Sequence, residues 1–135
     1  MMASGEETLP KQVVNIVEDC GYSSVWDELK YQAKAMYNLP AFPILYEVSA
    51  VSKVRAGFSY GQASCVKQLK NNTRPILFIH GSEDKFVPTS MVYKNYRATN
   101  SEKDLYIAKG AAHAKSFESD PKTYIEKISA FLQKK

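Results

Sequence analysis

The sequence predicts an α/β fold in which helices cover both faces of a parallel sheet, giving three layers. Short apolar runs alternate with longer segments of helical periodicity, and this alternation is typical of parallel sheets. The chain has 135 residues, 44% of them hydrophobic, which is enough for one buried core. It carries no internal repeat and no low-complexity segment. We therefore expect a single α/β domain.

The predicted strands are three short apolar runs. They are VVNIV at 13–17, ILFI at 76–79 and LYIA at 105–108. The first run is continuous and β-branched, which favours a strand buried on both faces. Gly81 and Gly110 follow the second and third runs closely, so we expect each of these strands to end in a turn.

The predicted helices have recognisable ends. Ser24 is a candidate N-cap with Asp27 as its capping-box partner, and this helix should end before Pro40. Asp120 and Pro121 are an N-cap and N1 pair for the last helix. Three further helices are expected: one at about 43–55 that ends at Gly57, one at about 65–69, and one that begins at Pro88. The last helix carries an apolar stripe made of Tyr124, Ile125, Ile128, Phe131 and Leu132.

Composition excludes several classes of function. The formal charge of +4 comes from scattered basic residues, so we expect no nucleic-acid partner. The longest apolar runs are far below 18 residues, and the N-terminus does not resemble a signal peptide. Cys20 and Cys65 are too few for a disulfide scaffold, and we interpret both as buried thiols. Neither CxxC nor HExxH is present, and we predict no cofactor and no metal.

Two residues that could act as a catalytic acid and base follow consecutive predicted strands. Asp84 lies just past the strand at 76–79, and His113 lies past the strand at 105–108. In parallel sheets the carboxyl ends of neighbouring strands meet at one edge, so we expect the two side chains to come together. A carboxylate that orients an imidazole is the acid and base pair of nucleophilic hydrolases. Taken singly, Asp84 could be a turn residue and His113 a loop residue without a role.

These segments carry a resemblance to a known family. HGSEDKFVP resembles the strand-end segment of α/β-hydrolases that supplies the triad acid, and GAAHAKSF resembles the loop that supplies the triad histidine. VVNIVEDCGYSSVWDEL is similar to the strand after the nucleophile helix and the start of the cap. The resemblance is strongest to bacterial cell-surface hydrolases related to prolyl-oligopeptidase-like esterases. It implies Asp84 as the orienting acid, His113 as the general base, and residues 23–72 as cap and connector helices, with the acid and histidine units at 73–135.

The family also needs a serine in a G-x-S-x-G elbow. GFSYG at 57–61 matches this pattern, but no buried apolar strand precedes it, so we do not assign Ser59 as the nucleophile. MMASGEETLP resembles the tail of the helix that leaves the elbow, with Gly5 suited to a position after a helix. We therefore expect the chain to be the C-terminal half of a larger serine hydrolase acting on an ester or amide, and to be inactive when isolated.

Other interpretations remain open from the sequence. His80 could join Asp84 and His113 at a metal ion, and Glu83 could replace Asp84 as the acid. Trp26, Tyr31 and Tyr37 could line an acyl pocket, although packing is the more common role of aromatic residues at helical spacing. The rival class of function is a non-catalytic α/β binding or interaction module.

Location and assembly follow from the same expectations. We expect this chain to be soluble, and the resemblance implies a membrane-anchored or cell-surface parent, with the cytoplasm as the alternative. Without an N-terminal half, the strand at 13–17 would expose an open edge. We therefore predict self-association through residues near 1–17.

Overall fold

The computed structural model describes residues 1–6 and 9–134. In chain order the elements are β1 (Ile16–Asp19), α1 (Val25–Tyr37), α2 (Ile44–Ala56), α3 (Cys65–Asn71), β2 (Ile76–Gly81), α4 (Thr89–Ala98), β3 (Lys103–Ala108), α5 (Ser116–Ser119) and α6 (Pro121–Leu132). Two 3-10 turns, Met2–Gly5 and Tyr60–Gln62, accompany them. The predicted order of strands and longer helices is confirmed, and α5 is a short helix that the sequence pattern did not indicate.

The sheet is parallel, with the strand order β1-β2-β3. Ile16 of β1 lies opposite Ile76 of β2, and Gly81 of β2 lies opposite Ala108 of β3. All six residues of the central strand β2 are buried. Because the strands are parallel and in close register, their carboxyl ends open at one edge of the sheet.

Helices pack against both faces of the sheet, which confirms the three layers. On one face, Ile76 and Phe78 belong to a buried cluster completed by residues of α3 and α4, namely Cys65, Leu69 and Val92. On the other face, Leu77 and Ile79 pack with Phe131 of α6. The alternation along β2 follows from the pleat, since successive side chains of a strand point to opposite faces.

Both predicted N-caps are present. The Ser24 hydroxyl accepts the Asp27 N–H at 3.0 Å, and the Asp120 carboxylate accepts the Thr123 N–H at 3.1 Å. The predicted return hydrogen bond of the capping box, in which the Asp27 carboxylate would accept the Ser24 N–H, is wrong, however. The Asp27 carboxylate accepts hydrogen bonds from the Ser23 hydroxyl and from Lys94 of α4. Asp27 therefore joins α1 to α4 and does not reach back to the N-cap.

The predicted bounds and burial of the first strand are wrong. The strand begins at Ile16 and ends at Asp19, whereas Val14 is 66% and Val17 is 39% exposed. Within residues 1–6 and 9–134, β1 pairs only with β2, so it is an edge strand with incomplete cover. The apolar stripe of α6 is likewise only partly buried, since Ile125 and Leu132 remain about half exposed.

At the N-terminus, Gly5 ends the Met2–Gly5 turn and extended Glu6 follows it. The rest of the proposed helix-tail segment includes Glu7 and Thr8, which lie outside the described residues, as does Lys135. Among the residues that are described, none of the helices has the length and apolar character that a membrane-crossing helix needs.

Candidate functional site

The carboxyl end of each strand delivers one reactive side chain to the same place. Cys20 follows β1, Asp84 follows β2 and His113 follows β3. One sulfur, oxygen or nitrogen atom from each of the three lies within 4.8 Å of the others. The predicted meeting of Asp84 and His113 at one sheet edge is therefore present in the structure.

Asp84 is held by its own turn. One carboxylate oxygen, Oδ1, accepts the N–H groups of Phe86 at 2.9 Å and Val87 at 2.8 Å. The other oxygen, Oδ2, lies 2.8 Å from His113 Nδ1, and the Asp84 side chain is fully buried. Asp84 therefore closes its own turn with one oxygen and contacts His113 with the other, so the turn interpretation and the contact with His113 are compatible.

His113 is the more exposed member of the pair. In the neutral tautomer whose Nδ1–H donates to Asp84, the other ring nitrogen, Nε2, carries no proton. The His113 side chain is 36% exposed, and its ring lies 4.9 Å from the Phe86 ring. The residue after it, Ala114, adopts a left-handed φ of 55°, and its N–H donates to the Cys20 sulfur at 3.2 Å. These contacts hold the ring with Nδ1 against the buried Asp84 carboxylate.

Backbone hydrogen bonds join the Asp84 turn to the His113 loop. The Ser82 N–H donates to the Ala108 carbonyl, and the Glu83 N–H donates to the Ala111 carbonyl, both at 2.9 Å. A Cβ atom on Gly81 would lie 2.3 Å from that Ala111 carbonyl oxygen. Glycine is therefore required at the end of β2 for the two loops to approach this closely.

His80 supports the turn and does not join a ligand cluster. It is fully buried, with Nε2 at 2.9 Å from the Val87 carbonyl and 3.3 Å from Asp84 Oδ2. Within the described residues, the set of metal-ligating side chains here contains Cys20 in place of His80. The alternative metal set of His80, Asp84 and His113 is therefore wrong in one member, because the Nε2 atom of His80 faces the Val87 carbonyl.

Glu83 is exposed, whereas the neighbouring Asp84 is buried against His113. The turn points Asp84 inward because its Oδ1 receives the two N–H groups that follow it. The alternative of Glu83 as the partner of the histidine is thus not supported.

Helix α1 lies against the Asp84 turn. The Tyr31 hydroxyl donates to the Lys85 carbonyl at 2.8 Å, and Gln32 Nε2 donates to the Phe86 carbonyl at 2.7 Å. Of the other aromatic residues considered for a pocket, Trp26 packs edge-on against Tyr46 at 4.8 Å between ring centroids, and Tyr37 is 67% exposed. Packing is confirmed for Trp26, and Tyr31 has a further role as an anchor for the turn.

Sequence reasoning missed Glu28 of α1. Its Oε1 accepts a hydrogen bond from Gln32 at 2.8 Å, and its Oε2 is buried with no hydrogen-bond partner in the described part of the chain. The pKa of Glu28 is raised, chiefly because its carboxyl group is buried. The hydrogen bond from Gln32 and the charge of His113 lower this pKa, whereas the charge of Asp84 raises it. Glu28 thus adds a carboxyl group near the pair, and a glutamate within a helix gives no sequence signal of this.

Cys20 was also missed as a site residue. It is buried, has a left-handed φ of 60°, and is a free thiol, as is Cys65. The interpretation of both cysteines as buried thiols is confirmed. The proximity of Cys20 to His113 could have been suspected from its place after the first strand, since consecutive strand ends were the basis for pairing Asp84 with His113.

Ser59 does not lie on a nucleophile elbow. GFSYG follows helix α2, with Gly57 as the left-handed C-cap, and Ser59 is the N-cap of the 3-10 turn Tyr60–Gln62. Its backbone N–H donates to Gln62 Oε1 at 2.7 Å. An elbow requires a strand that delivers the serine into a helix, and a helix precedes this serine.

Comparison with known proteins identifies the fold. Over 98% of its length the chain superposes on 48% of an esterase from Pyrococcus furiosus, with a TM-score of 0.67 and 16% identity. It superposes over 97% of its length on 20% of an acylaminoacyl peptidase from Pyrococcus horikoshii, with a TM-score of 0.66 and 19% identity. An acetyl xylan esterase from Thermoanaerobacterium matches 87% of the chain, and 36% of its own length is covered, with a TM-score of 0.56 and 17% identity.

The chain has part of an α/β-hydrolase fold. In sequence it is 30% identical over 116 residues to the uncharacterized protein YqkD of Bacillus subtilis, a match that covers 86% of this chain and 38% of YqkD. No family model matches the sequence. The chain therefore spans well under half the length of this relative and less than half the length of the three structures described above.

Proposed function

We propose that this chain supplies the acid, Asp84, and the general base, His113, of a Ser-His-Asp triad in a hydrolase that acts on ester or amide bonds. The serine and the oxyanion hole would come from a segment of the parent protein outside this sequence. The observation that carries the proposal is the 2.8 Å hydrogen bond between two side chains that follow adjacent parallel strands. The α/β-hydrolase fold supports the same assignment, since this is the edge where that fold places its chemistry.

In this proposal each group has a definite task. His113 Nε2, the ring nitrogen that does not face Asp84, would accept the proton of the serine hydroxyl as the oxygen attacks the substrate carbonyl. It would then donate this proton to the leaving alcohol or amine. Asp84 would remain ionised and stabilise the imidazolium through Nδ1–H. The two N–H groups on Asp84 Oδ1 keep its carboxylate in the orientation that this requires.

The isolated chain should then be inactive, because the nucleophile and the oxyanion donors supply most of the rate acceleration. The substrate in this proposal is an ester or amide of a small molecule. A membrane-anchored or cell-surface location, in a bacterium, belongs to this proposal as well.

Active-site labelling tests the proposal. We expect a fluorophosphonate probe to leave the 135-residue chain unlabelled and to label one serine of the full-length parent, in a strand–G-x-S-x-G–helix segment upstream of Met1. A short-chain p-nitrophenyl ester should be hydrolysed by the parent alone. Stoichiometric labelling of Ser59 in this chain would contradict the proposal. A parent gene that lacks such a segment would instead favour a non-catalytic binding module.

A further inference from the structure

The third side chain at the sheet edge gives the site a second chemical capability. Cys20, Asp84 and His113 offer a sulfur, an oxygen and a nitrogen, all within 4.8 Å of one another. Tetrahedral zinc has bonds of about 2.0–2.3 Å to such atoms, so its ligands lie roughly 3.3–3.8 Å apart. The three ligand atoms are therefore close enough to converge on a single ion after small movements. The 2.8 Å separation of His113 Nδ1 and Asp84 Oδ2 would have to widen by about 0.5 Å, and a separation near the 4.8 Å bound would have to close by about 1 Å.

The ligands are oriented by contacts outside the cluster. The Cys20 sulfur accepts the Ala114 N–H at 3.2 Å, and the thiol donates to Asp19 at 3.1 Å. The Asp84 oxygen that does not face His113 is fixed by two backbone N–H groups. Such outer contacts are typical of metal sites, because they hold each ligand in position before the ion arrives.

The environment also suits an ion with one open position. The Cys20 and Asp84 side chains are buried, whereas His113 is 36% exposed. An ion held by the three would therefore be reached from the His113 side, where water or another ligand can complete the coordination. Thiolate and imidazole favour zinc over magnesium or calcium, which prefer oxygen ligands.

We propose that Cys20, Asp84 and His113 form a zinc-binding site at the carboxyl edge of the sheet. Binding requires that zinc displace the thiol proton of Cys20 and the proton that His113 Nδ1 shares with Asp84. In the metal-free chain, burial and then the hydrogen bond to Asp19 raise the pKa of the Cys20 thiol to about 11. The thiol is therefore protonated at neutral pH until a metal ion replaces the proton.

Zinc in this position would compete with the chemistry under Proposed function. It would occupy the Asp84 oxygen and the His113 nitrogen that the triad uses, so a zinc-loaded parent would be inhibited. Inhibition of the parent by zinc rests on the proposed triad, whereas zinc binding by this chain does not. Zinc binding can therefore be present when the triad proposal is wrong, and absent when the triad proposal is right.

Cobalt serves as the spectroscopic probe, because a Co²⁺–thiolate bond absorbs in the near ultraviolet and zinc is silent. The reduced 135-residue chain is titrated with Co²⁺ and then with Zn²⁺. We expect one Co²⁺ per chain, a thiolate-to-cobalt charge-transfer band, and loss of that band when zinc displaces cobalt. Cys20→Ser should abolish the band. Cys65→Ser, which removes the other buried thiol far along the chain, should retain it.

His113→Gln and Asp84→Asn should weaken Co²⁺ binding by at least about tenfold while the far-ultraviolet circular dichroism stays native. Because His113 is partly exposed, its variant keeps the test available if Cys20→Ser does not fold. The zinc site is disproved if the wild-type chain gives no charge-transfer band, if the band survives in Cys20→Ser, or if a folded His113→Gln binds Co²⁺ as tightly as the wild type.

Discussion

Asp84 uses its two carboxylate oxygens for two different purposes. Oδ1 closes the turn through Phe86 and Val87, and Oδ2 faces His113. An asparagine at this position would keep a neutral acceptor for the turn but would lose the negative charge beside the imidazole. The orientation of the pair and its electrostatics can therefore be separated by a single substitution.

Glu18 of β1 is buried, and only one of its two carboxylate oxygens has a hydrogen-bond partner among the described residues. Its Oε1 accepts the Gly21 N–H, whereas its Oε2 has no partner among the described residues. Burial raises the pKa of Glu18 to about 7; the Gly21 hydrogen bond and the amino group of Met1 lower it, and Asp19 raises it. The ionised form is therefore disfavoured in the folded chain.

Stability should consequently fall as the pH rises through this range. Below pH 4.5 the carboxyl is protonated in both states, and above pH 7 the unfolded chain gains the full advantage of ionisation. The shift from 4.5 to about 7 corresponds to about 3 kcal/mol. We expect the free energy of unfolding in urea to be lower at pH 8 than at pH 4.5 by an amount of this order, and Glu18→Gln to remove most of the difference. An unchanged pH dependence in Glu18→Gln would contradict this origin.

At the scale of elements, α1 and the Asp84 turn behave as one unit. Two side chains of α1, Tyr31 and Gln32, donate to consecutive carbonyls of that turn. The second carbonyl belongs to Phe86, whose ring packs against His113. A displacement of α1 would therefore disturb the histidine through Phe86. This coupling connects the predicted cap region to His113 through the Asp84 turn.

The double variant Tyr31→Phe/Gln32→Ala tests this coupling. Loss of three hydrogen bonds, two to the turn and one from Gln32 to Glu28, should lower the free energy of unfolding by about 1–3 kcal/mol. Amide hydrogen exchange at Phe86 and Val87 should become faster. The control is Tyr37→Phe, since Tyr37 is 67% exposed and should change stability by less than about 0.5 kcal/mol. Unaltered exchange in the double variant would show that α1 does not support the turn.

The elements differ in how far the sequence predicted them. The N-terminal ends of α1 and α6 were predicted from Ser24 and Asp120, because capping is a local interaction that one side chain can specify. The proximity of Asp84 and His113 was predicted from their places after consecutive strands. The true start of β1 could not be predicted, because burial depends on what covers a strand and not on its own apolar residues. Glu28 and Cys20 required three-dimensional proximity.

At the scale of the whole molecule, β1 has one unpaired edge. Within the described ranges it pairs with β2 alone, and Val17 is 39% exposed. Exposed backbone donors and acceptors beside apolar side chains favour pairing with another chain. Self-association through this edge therefore remains our prediction for the isolated chain.

Light scattering at micromolar concentration tests the association. We expect the wild-type chain to be a dimer or larger and Val17→Lys to shift it toward monomer, because a charge on an edge strand opposes further pairing. Val54→Lys is the matched control, since Val54 is 86% exposed on α2 and not part of the sheet, and should leave the mass unchanged. A monomeric wild-type chain would contradict the prediction.

The central claim is that Asp84 and His113 act together on a serine of the parent protein. The most direct measurement is the steady-state hydrolysis of a p-nitrophenyl ester by the full-length parent and its Asp84→Asn and His113→Gln variants. We expect kcat to fall by roughly 10⁴-fold in each with little change in KM. Glu83→Gln, which neutralises the exposed neighbouring carboxylate, should stay within about twofold of the wild type, as expected for a surface change. A wild-type kcat in either Asp84→Asn or His113→Gln would contradict the claim.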